Sequence, residues 1–457
     1  MKPGLPVMDT GAGLGFRATA QRPAGSVKPG GQLFVPHVVA WNLTQRCNLA
    51  CAHCYISAGS WHDAARELTT AECTRIADEI LSISPAPMFI LSGGEPLLRE
   101  DLEEIAAHAT SKGATVVVGT NGTRLTSERI RSLQTAGVTG VAVSVDSLDP
   151  RYHDRFRHGT GALGDTLAAI ERLREERLDF VVQTSLTRGN RREIAALAAW
   201  AEERGAVSFN VYFLVSTGRG ETMRGLTPAE NDDVLRELIG LERQYRGRML
   251  VRSKCQPQIM RHVHETDPDS PLLNYGTRCP CGVHYCRITP EGKVTPCPYM
   301  LVVAGDLRTH SFVDVWRASP VFETIRSGQV GGKCGQCEYR AVCGGCRARA
   351  WADEGDFMAA DESCAYEPSG TVPLVEARQI SYGAGERERA MPWTPEAEAR
   401  LSRVPGFVRS VVAERVENFA RERGWDAVTV EVMDEVRRSM PVDFSKRMPF
   451  FMRGGKS

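Results

Sequence analysis

Nowhere in the 457 residues do about 18 apolar side chains follow one another, so the sequence offers no membrane span, and its N-terminus lacks the basic, apolar and small-residue succession of a secretory signal. These two absences predict a cytoplasmic protein. An excess of either charge is missing too. Lys plus Arg and Asp plus Glu both total 56, so no overall field draws the chain to nucleic acid or an anionic membrane, and an acidic ligand has to be met by local cations. The chain is instead well supplied with apolar residues, 42%, enough to bury cores for two or three domains. It is also rich in cysteine. Most of its 14 cysteines cluster: Cys47, Cys51 and Cys54 come first, then a group from Cys279 to Cys364. A chain of this size needs no disulfide staples, so closely spaced thiols in a reducing compartment point to metal or redox work. Cys73, inside a helical pattern, reads as a small core residue.

Residues 1–35, rich in Gly and Pro, read as a flexible leader. From Pro36 onward, apolar β-type runs alternate with amphipathic helical stretches. Six strands are predicted, at 37–43, 88–92, 115–119, 140–145, 179–186 and 207–215. Between them, Thr69 with Glu72 makes a capping box, and a helix runs over 190–204 ahead of Gly205. This alternation predicts an α/β fold: a parallel sheet curled into a partial (βα)6 barrel over residues 36–249, with its site at the C-terminal ends of the strands. The polar and glycine-bearing segments fall at those ends. They are the Cys47 group, Ser92-Gly93-Gly94-Glu95-Pro96, Thr120-Asn121-Gly122-Thr123 and Ser144-Val145-Asp146. Any one alone reads as a connecting turn; four on one rim read as a site. Residues 250–366 are irregular and cysteine-rich, and form a second domain; 367–391 read as a linker, 392–445 as a small domain of three helices, and 446–457 as a tail. Thr394 with Pro395 opens the first helix, the second spans 407–423 ahead of Gly424, and the third follows Thr429.

Cys47-x3-Cys51-x2-Cys54 supplies three thiolates, one too few to complete a 4Fe-4S cluster, which leaves one iron open to a chelating amine and carboxylate. Three thiolates and a water also describe a catalytic zinc site, with His53 as a further ligand on offer. Gly93 and Gly94, which bring backbone close to a ligand, and Glu95, which can accept from an ammonium, favour the first reading. The run Cys47-Asn48-Leu49-Ala50-Cys51-Ala52-His53-Cys54-Tyr55 resembles the signature of the radical S-adenosylmethionine (SAM) superfamily. The resemblance implies that Cys47, Cys51 and Cys54 hold the catalytic 4Fe-4S cluster and that Tyr55 packs near the adenine. It also implies that Gly93, Gly94, Glu95 and Pro96 hold the amino group of the methionine moiety, that Ser144 and Arg157 contact ribose and carboxylate, and that Asn121 belongs to the same cofactor-binding rim.

Cys334-x2-Cys337-x5-Cys343-x2-Cys346, followed by Cys364, resembles the auxiliary-cluster (SPASM or twitch) domain of that superfamily. By analogy Cys279, Cys286, Cys297 and Cys346 hold one auxiliary 4Fe-4S cluster, and Cys334, Cys337, Cys343 and Cys364 another. The family spaces the last close pair by three residues and this chain by two, so one or two auxiliary clusters both stay open, as does a structural zinc knuckle. Cys281 is left without a partner, and Cys255 reads as a contact to substrate or iron, or as a plain buried thiol.

Segments 213–220, 255–261 and 343–350 resemble the branch that builds or modifies heme-type tetrapyrroles, nearest its heme synthases, over residues 36–366. Tyr55 and Ser92 depart from that pattern toward the pre-heme synthases. Segments 393–398 and 404–409 resemble the C-terminal domain of light-independent protochlorophyllide reductase; a helical docking piece is the plainer reading. The resemblance implies oxidative decarboxylation of iron-coproporphyrin III propionates to vinyl groups through a 5′-deoxyadenosyl radical, with a low-potential flavodoxin or ferredoxin as electron donor. Arg219, Arg347 and Arg349 are the expected propionate partners, because guanidinium groups bind carboxylates in a forked way. The competing readings are another tetrapyrrole-modifying enzyme (pre-heme synthase or didecarboxysiroheme deacetylase type), a peptide-maturing SPASM enzyme, and a non-enzymatic iron-sulfur or heme carrier. Residues 1–35 are too short and too rich in Gly and Pro for the winged helix that peptide-maturing enzymes often carry.

Overall fold

The computed structural model describes residues 34–376 and 389–439, apart from 85, 269, 271, 276, 277, 403 and 405. Nearly all of the expected leader, residues 377–388 of the linker and the tail lie outside the described residues. The six expected strands form as β1 (Val38–Thr44), β2 (Met88–Gly93), β3 (Thr115–Thr120), β4 (Gly140–Ser144), β5 (Phe180–Leu186) and β6 (Ser208–Phe213), all parallel and in chain order. Four more extend the sheet. β7 (Leu250–Lys254) adds in parallel to β6, and β8 (Tyr285–Ile288) adds in parallel to the other edge, beside β1. β9 (Lys293–Thr295) and β10 (Gly305–Asp306) continue outward from β8 as antiparallel strands. The sheet thus draws two of its flanks from the region expected to be a separate domain, and the boundary expected at 249 falls just ahead of a sheet strand.

Strand alternation sorts side chains to two faces. Val39, Trp41, Leu43, Phe89, Leu91, Val116, Val118, Phe180, Val182, Phe209 and Val211 face the helices and form the main core. Each such large side chain, withdrawn from water, contributes about 1.5–3 kcal/mol. On the inner face, Val117, Ala142, Val181 and Val207, with Met88 and Leu250, make a small apolar floor. Toward the C-terminal ends the inner face turns polar, with Asn42, Ser92, Ser144, Gln183 and Tyr212.

The helices begin where their caps predict. Thr69 and Glu72 exchange both capping-box bonds ahead of the helix Thr70–Ile83. The 190–204 segment opens as a tight turn, Arg191–Glu193, continues as Ile194–Glu203 and stops at Gly205, whose φ is +77°. Near the C-terminus, helices Pro395–Ser402, Gly406–Glu422 and Val430–Ser439 share a core of their own that includes Leu401, Val416, Ala420 and Val432. There the Trp393 indole donates to Glu417 over 3.0 Å. Among the described residues no helix is long and apolar enough to cross a membrane.

Candidate active site at the barrel mouth

The loop that follows β1 is pressed against the end of β2. Gly94 N–H donates to the Thr44 carbonyl at 2.7 Å, and Glu95 N–H to that of Arg46 at 2.8 Å. A Cβ on Gly94 would stand 2.1 Å from the Arg46 oxygen, and one on Gly93, at φ +145°, 2.3 Å from the Thr44 oxygen. Close backbone approach, which only glycine allows, therefore sets the position of the three-cysteine loop. Within it Leu49 N–H donates to Cys47 Sγ at 3.4 Å and Ala58 N–H to Cys54 Sγ at 3.3 Å, while Arg157 Nη1 lies 3.8 Å from Cys51 Sγ. Asn121 Nδ2 is 3.9 Å from Cys47 Sγ. These are donors suited to thiolates. Burial pushes the Cys47 thiol up to about 12, against the pull of the Leu49 N–H, so this sulfur becomes a thiolate only when a cation takes it.

Glu95 has no exposed surface. Its carboxylate accepts from Thr120 Oγ1 at 2.7 Å, Asn121 N–H at 2.9 Å and Leu97 N–H at 3.1 Å. The sequence reading aimed it at an ammonium; the structure turns it inward, where it ties the loop after β2 to the loop after β3. Pro96 opens a buried turn, Pro96–Leu98. Ser144 stands half-buried on the inner face of β4, and the Tyr55 hydroxyl accepts from Asn42 at 2.9 Å with the Arg287 guanidinium 5.5 Å above its ring. Arg157 pairs with Asp146 at 2.6 Å. Burial works to raise the Asp146 carboxyl, and the Arg157 charge and hydrogen bond, together with His53 and His153, hold the group below the usual range. His53, a conceivable zinc ligand, stacks flat on Phe156 with centroids 4.4 Å apart; burial, aided by Arg157, lowers its pKa to about 3.

The three arginines expected to meet propionates have other uses. Arg219 donates to the carbonyls of Cys51 at 2.9 Å and Ala58 at 2.7 Å, and its own N–H reaches that of Cys54 at 3.0 Å, so it clasps the cysteine loop. Arg347 is buried and donates to the carbonyls of Phe357 and Ala359. Arg349 is buried against Asp361 at 3.3 Å and Ser363 at 3.1 Å. Arg219 is held by partners 168 and 161 residues upstream, and Arg347 and Arg349 by the turn that follows their own helix, which spacing alone does not reveal.

Cys334, Cys337, Cys343 and Cys364 line one pocket with about 340 Å³ of atom-free space, its open mouth included. The other thiols gather differently from the expectation. Cys281, Cys297 and Cys346 share one buried cluster, with Cys279 and Cys255 against it; the sulfurs of Cys279 and Cys281 are 3.4 Å apart. Cys286 is not among them. It pairs in register with Val39 and faces the main core, because β8 turns alternate residues outward. The structure sets Cys281, not the expected Cys286, beside Cys279, and gives Asp146, named in the sequence only as part of a rim segment, a partner in Arg157. The signal for the first was the two-residue alternation around Tyr285 and Arg287, and for the second the buried acid ending a rim segment. Among the described residues no three His, Cys, Asp or Glu side chains converge on a single ion.

The donors fit iron-sulfur groups: Cys334, Cys337, Cys343 and Cys364 surround a volume, Cys279, Cys281, Cys297 and Cys346 gather together, and N–H groups and a guanidinium address the sulfurs of the first cysteine loop. Comparison with known proteins agrees. The radical SAM superfamily profile matches residues 41–201, an iron-sulfur cluster-binding (SPASM) domain 279–347, and the proto-chlorophyllide reductase 57 kD subunit 393–437. AdoMet-dependent heme synthase from Methanosarcina barkeri is 39% identical over 343 residues, covering 73% of this chain and 97% of that protein. Its counterpart from Nitratidesulfovibrio vulgaris is 33% identical, covering 74% and 94%. The fold is similar to that of Streptococcus suis SuiB bound to S-adenosylmethionine, with a TM-score of 0.60 at 16% identity over 73% of this chain and 78% of that one. On this evidence the chain belongs to the radical SAM superfamily, as an enzyme whose barrel is followed by a SPASM iron-sulfur domain.

Proposed function

We propose that this enzyme oxidatively decarboxylates propionate side chains of iron-coproporphyrin III to vinyl groups inside the barrel mouth. The observation that carries this reading is the 39% identity to AdoMet-dependent heme synthase, which covers 73% of this chain and 97% of that protein. When bound, SAM and the iron-sulfur groups supply a 5′-deoxyadenosyl radical for hydrogen-atom abstraction and an acceptor for the electron left after carbon dioxide departs. The protein's part is to hold and to shield. Cys47, Cys51 and Cys54 hold the first cluster; Arg157, backed by Asp146, offsets thiolate charge at Cys51. The backbone of Gly93 and Gly94, with Tyr55, Asn121 and Ser144, forms the SAM-facing rim. Cys334, Cys337, Cys343 and Cys364 hold one auxiliary cluster, and Cys279, Cys281, Cys297 and Cys346 the other, Cys281 replacing the expected Cys286. Free thiols in such number suit the reducing cytoplasm, where a flavodoxin or ferredoxin would donate the electrons.

The test is anaerobic reconstitution with SAM, a reductant and iron-coproporphyrin III, following 5′-deoxyadenosine and porphyrin mass together. Loss of two carbon dioxide units alongside 5′-deoxyadenosine supports the reading. Formation of 5′-deoxyadenosine with an unchanged porphyrin overturns it and sends the search to other tetrapyrroles and to peptides.

A further inference from the structure

β7 carries its charge on the inner face of the barrel. Val251 belongs to the outer core, so Arg252 and Lys254 point the other way in part, one residue on and three. Register sets Arg252 beside Asn210 and Lys254 beside Tyr212. Across the barrel β8 turns Tyr285 and Arg287 to the same side, and Tyr299 follows, 5.1 Å from Tyr55 by ring centroids. Tyr285 and Tyr299 pack with Cys255 against the auxiliary thiols, and Tyr55 and Tyr212 reach the same side from the first cysteine loop and β6.

These residues lie deep in the fold and still keep accessible surface. A close-packed interior would leave them none. The surface they keep implies a chamber between them. Within it the Lys254 ammonium has no hydrogen-bond or ion-pair partner among the described residues, and the hydroxyls of Tyr285 and Tyr299 are likewise without one. An enclosed cation with no counter-charge is costly, and burial lowers the Lys254 pKa to about 7, so a ligand that brings the opposite charge favours its ammonium form.

We propose that Lys254 receives a carboxylate of the substrate in this chamber, with Tyr212, Tyr285 and Tyr299 presenting ring faces and hydroxyls to the flat aromatic system that bears it. The inference rests on the tetrapyrrole reading and names a cation for it in place of Arg219, Arg347 and Arg349. A charged hydrogen bond of this kind corresponds to about tenfold to a hundredfold in affinity.

The experiment titrates the reconstituted enzyme with iron-coproporphyrin III and with its tetramethyl ester, by absorbance. Wild type should prefer the acid; Lys254→Gln should lose about tenfold or more for the acid and little for the ester, and Lys254→Arg should recover part of the loss. Iron content and SAM-dependent spectral change, measured on each variant, report whether the fold and cluster loading survive. If wild type binds the acid and Lys254→Gln binds it equally well, the role given to Lys254 is wrong while the substrate reading stands. If wild type binds neither porphyrin, the substrate reading falls, and this inference with it.

Discussion

Replacing Arg219 tests whether the loop that carries Cys47, Cys51 and Cys54 is held by this one side chain. Its guanidinium makes two charge-assisted hydrogen bonds, to the carbonyls of Cys51 and Ala58, at 2.9 and 2.7 Å. Bonds to charged groups are worth about 1.5–3 kcal/mol each, and water replaces part of this at a half-buried site. Stacking over the exposed Trp61 ring, 5.4 Å away, adds about 0.5 kcal/mol. A net loss of about 2–4 kcal/mol in loop order is therefore expected for Arg219→Met, which keeps the length and loses the donors. At 1.4 kcal/mol per decade this raises the open-loop population by about 30-fold to about a thousandfold. Iron release to a chelator, followed anaerobically by bleaching of the cluster absorbance, should speed up by at least the lower figure, because release follows the open population when opening is fast. Arg219→Lys, a point donor that reaches one carbonyl, should fall between. The clasp is refuted if Arg219→Met releases iron at the wild-type rate. Loss of porphyrin affinity with unchanged iron release would instead restore Arg219 as a propionate partner.

Gly94→Ala places a methyl 2.1 Å from the Arg46 carbonyl oxygen and 3.0 Å from Cys47 Cβ, so the loop must shift; iron content of the first cluster should drop while the barrel's circular dichroism is kept. Cys286→Ala should retain wild-type iron at a modest stability cost, whereas Cys281→Ala should lose the iron of one auxiliary cluster; equal iron in both variants would defeat the assignment. For Asp101, burial works to raise the carboxyl, and its bonds to Arg99 at 2.7 and 2.6 Å hold it lower than usual. A depressed folded-state pKa gives stability that is present above the unfolded value, about 4, and lost as pH falls through the folded one. Asp101→Asn should therefore be less stable than wild type at pH 7 by denaturant titration, with the gap closing toward about pH 3.

The readable parts of the chain were those where local pattern and tertiary role coincide. β1 to β6 bury an apolar outer face, so each announced itself as a hydrophobic run, and the caps at Thr69 and Gly205 are local chemistry. β7 was missed because its inward residues are Arg252 and Lys254, which break the apolar signal at the very positions facing the chamber. Cysteine spacing located both thiol sets but did not show which way each thiol faces. Cys281 and Cys286 are near neighbours in sequence, and only the pleat of β8 sends the second into the core. Arginine counting failed for a different reason. Arg349 is captured by Asp361 and Ser363, and Arg219 by carbonyls more than a hundred residues upstream, contacts that no local pattern carries.

The same pairing that took Cys286 out of the thiol set explains how the two cysteine regions hold a fixed relation. β8 lies directly against β1, whose C-terminal end leads into the Cys47 loop, and Leu68 N–H, Arg75 and Glu79 make further bonds to Pro290, Leu307 and Phe312. On the far edge the chain leaves β7 through Cys255, whose φ of +60° makes a sharp turn, and Gln258 and Asn231 then bond to Asp361 and Ser363. Cys255 packs against the buried cluster that holds Cys281, Cys297 and Cys346, so the end of β7 is tied to the region around β8 beside these sulfurs. The cysteine-rich region is thereby the wall that spans the gap in an incomplete barrel, rather than a module hung from it. A substrate in the chamber would have the first cysteine loop at the mouth and the thiols around Cys281 beside β7 and β8, so the separation between these two thiol groups is set by strand pairing instead of by a flexible hinge.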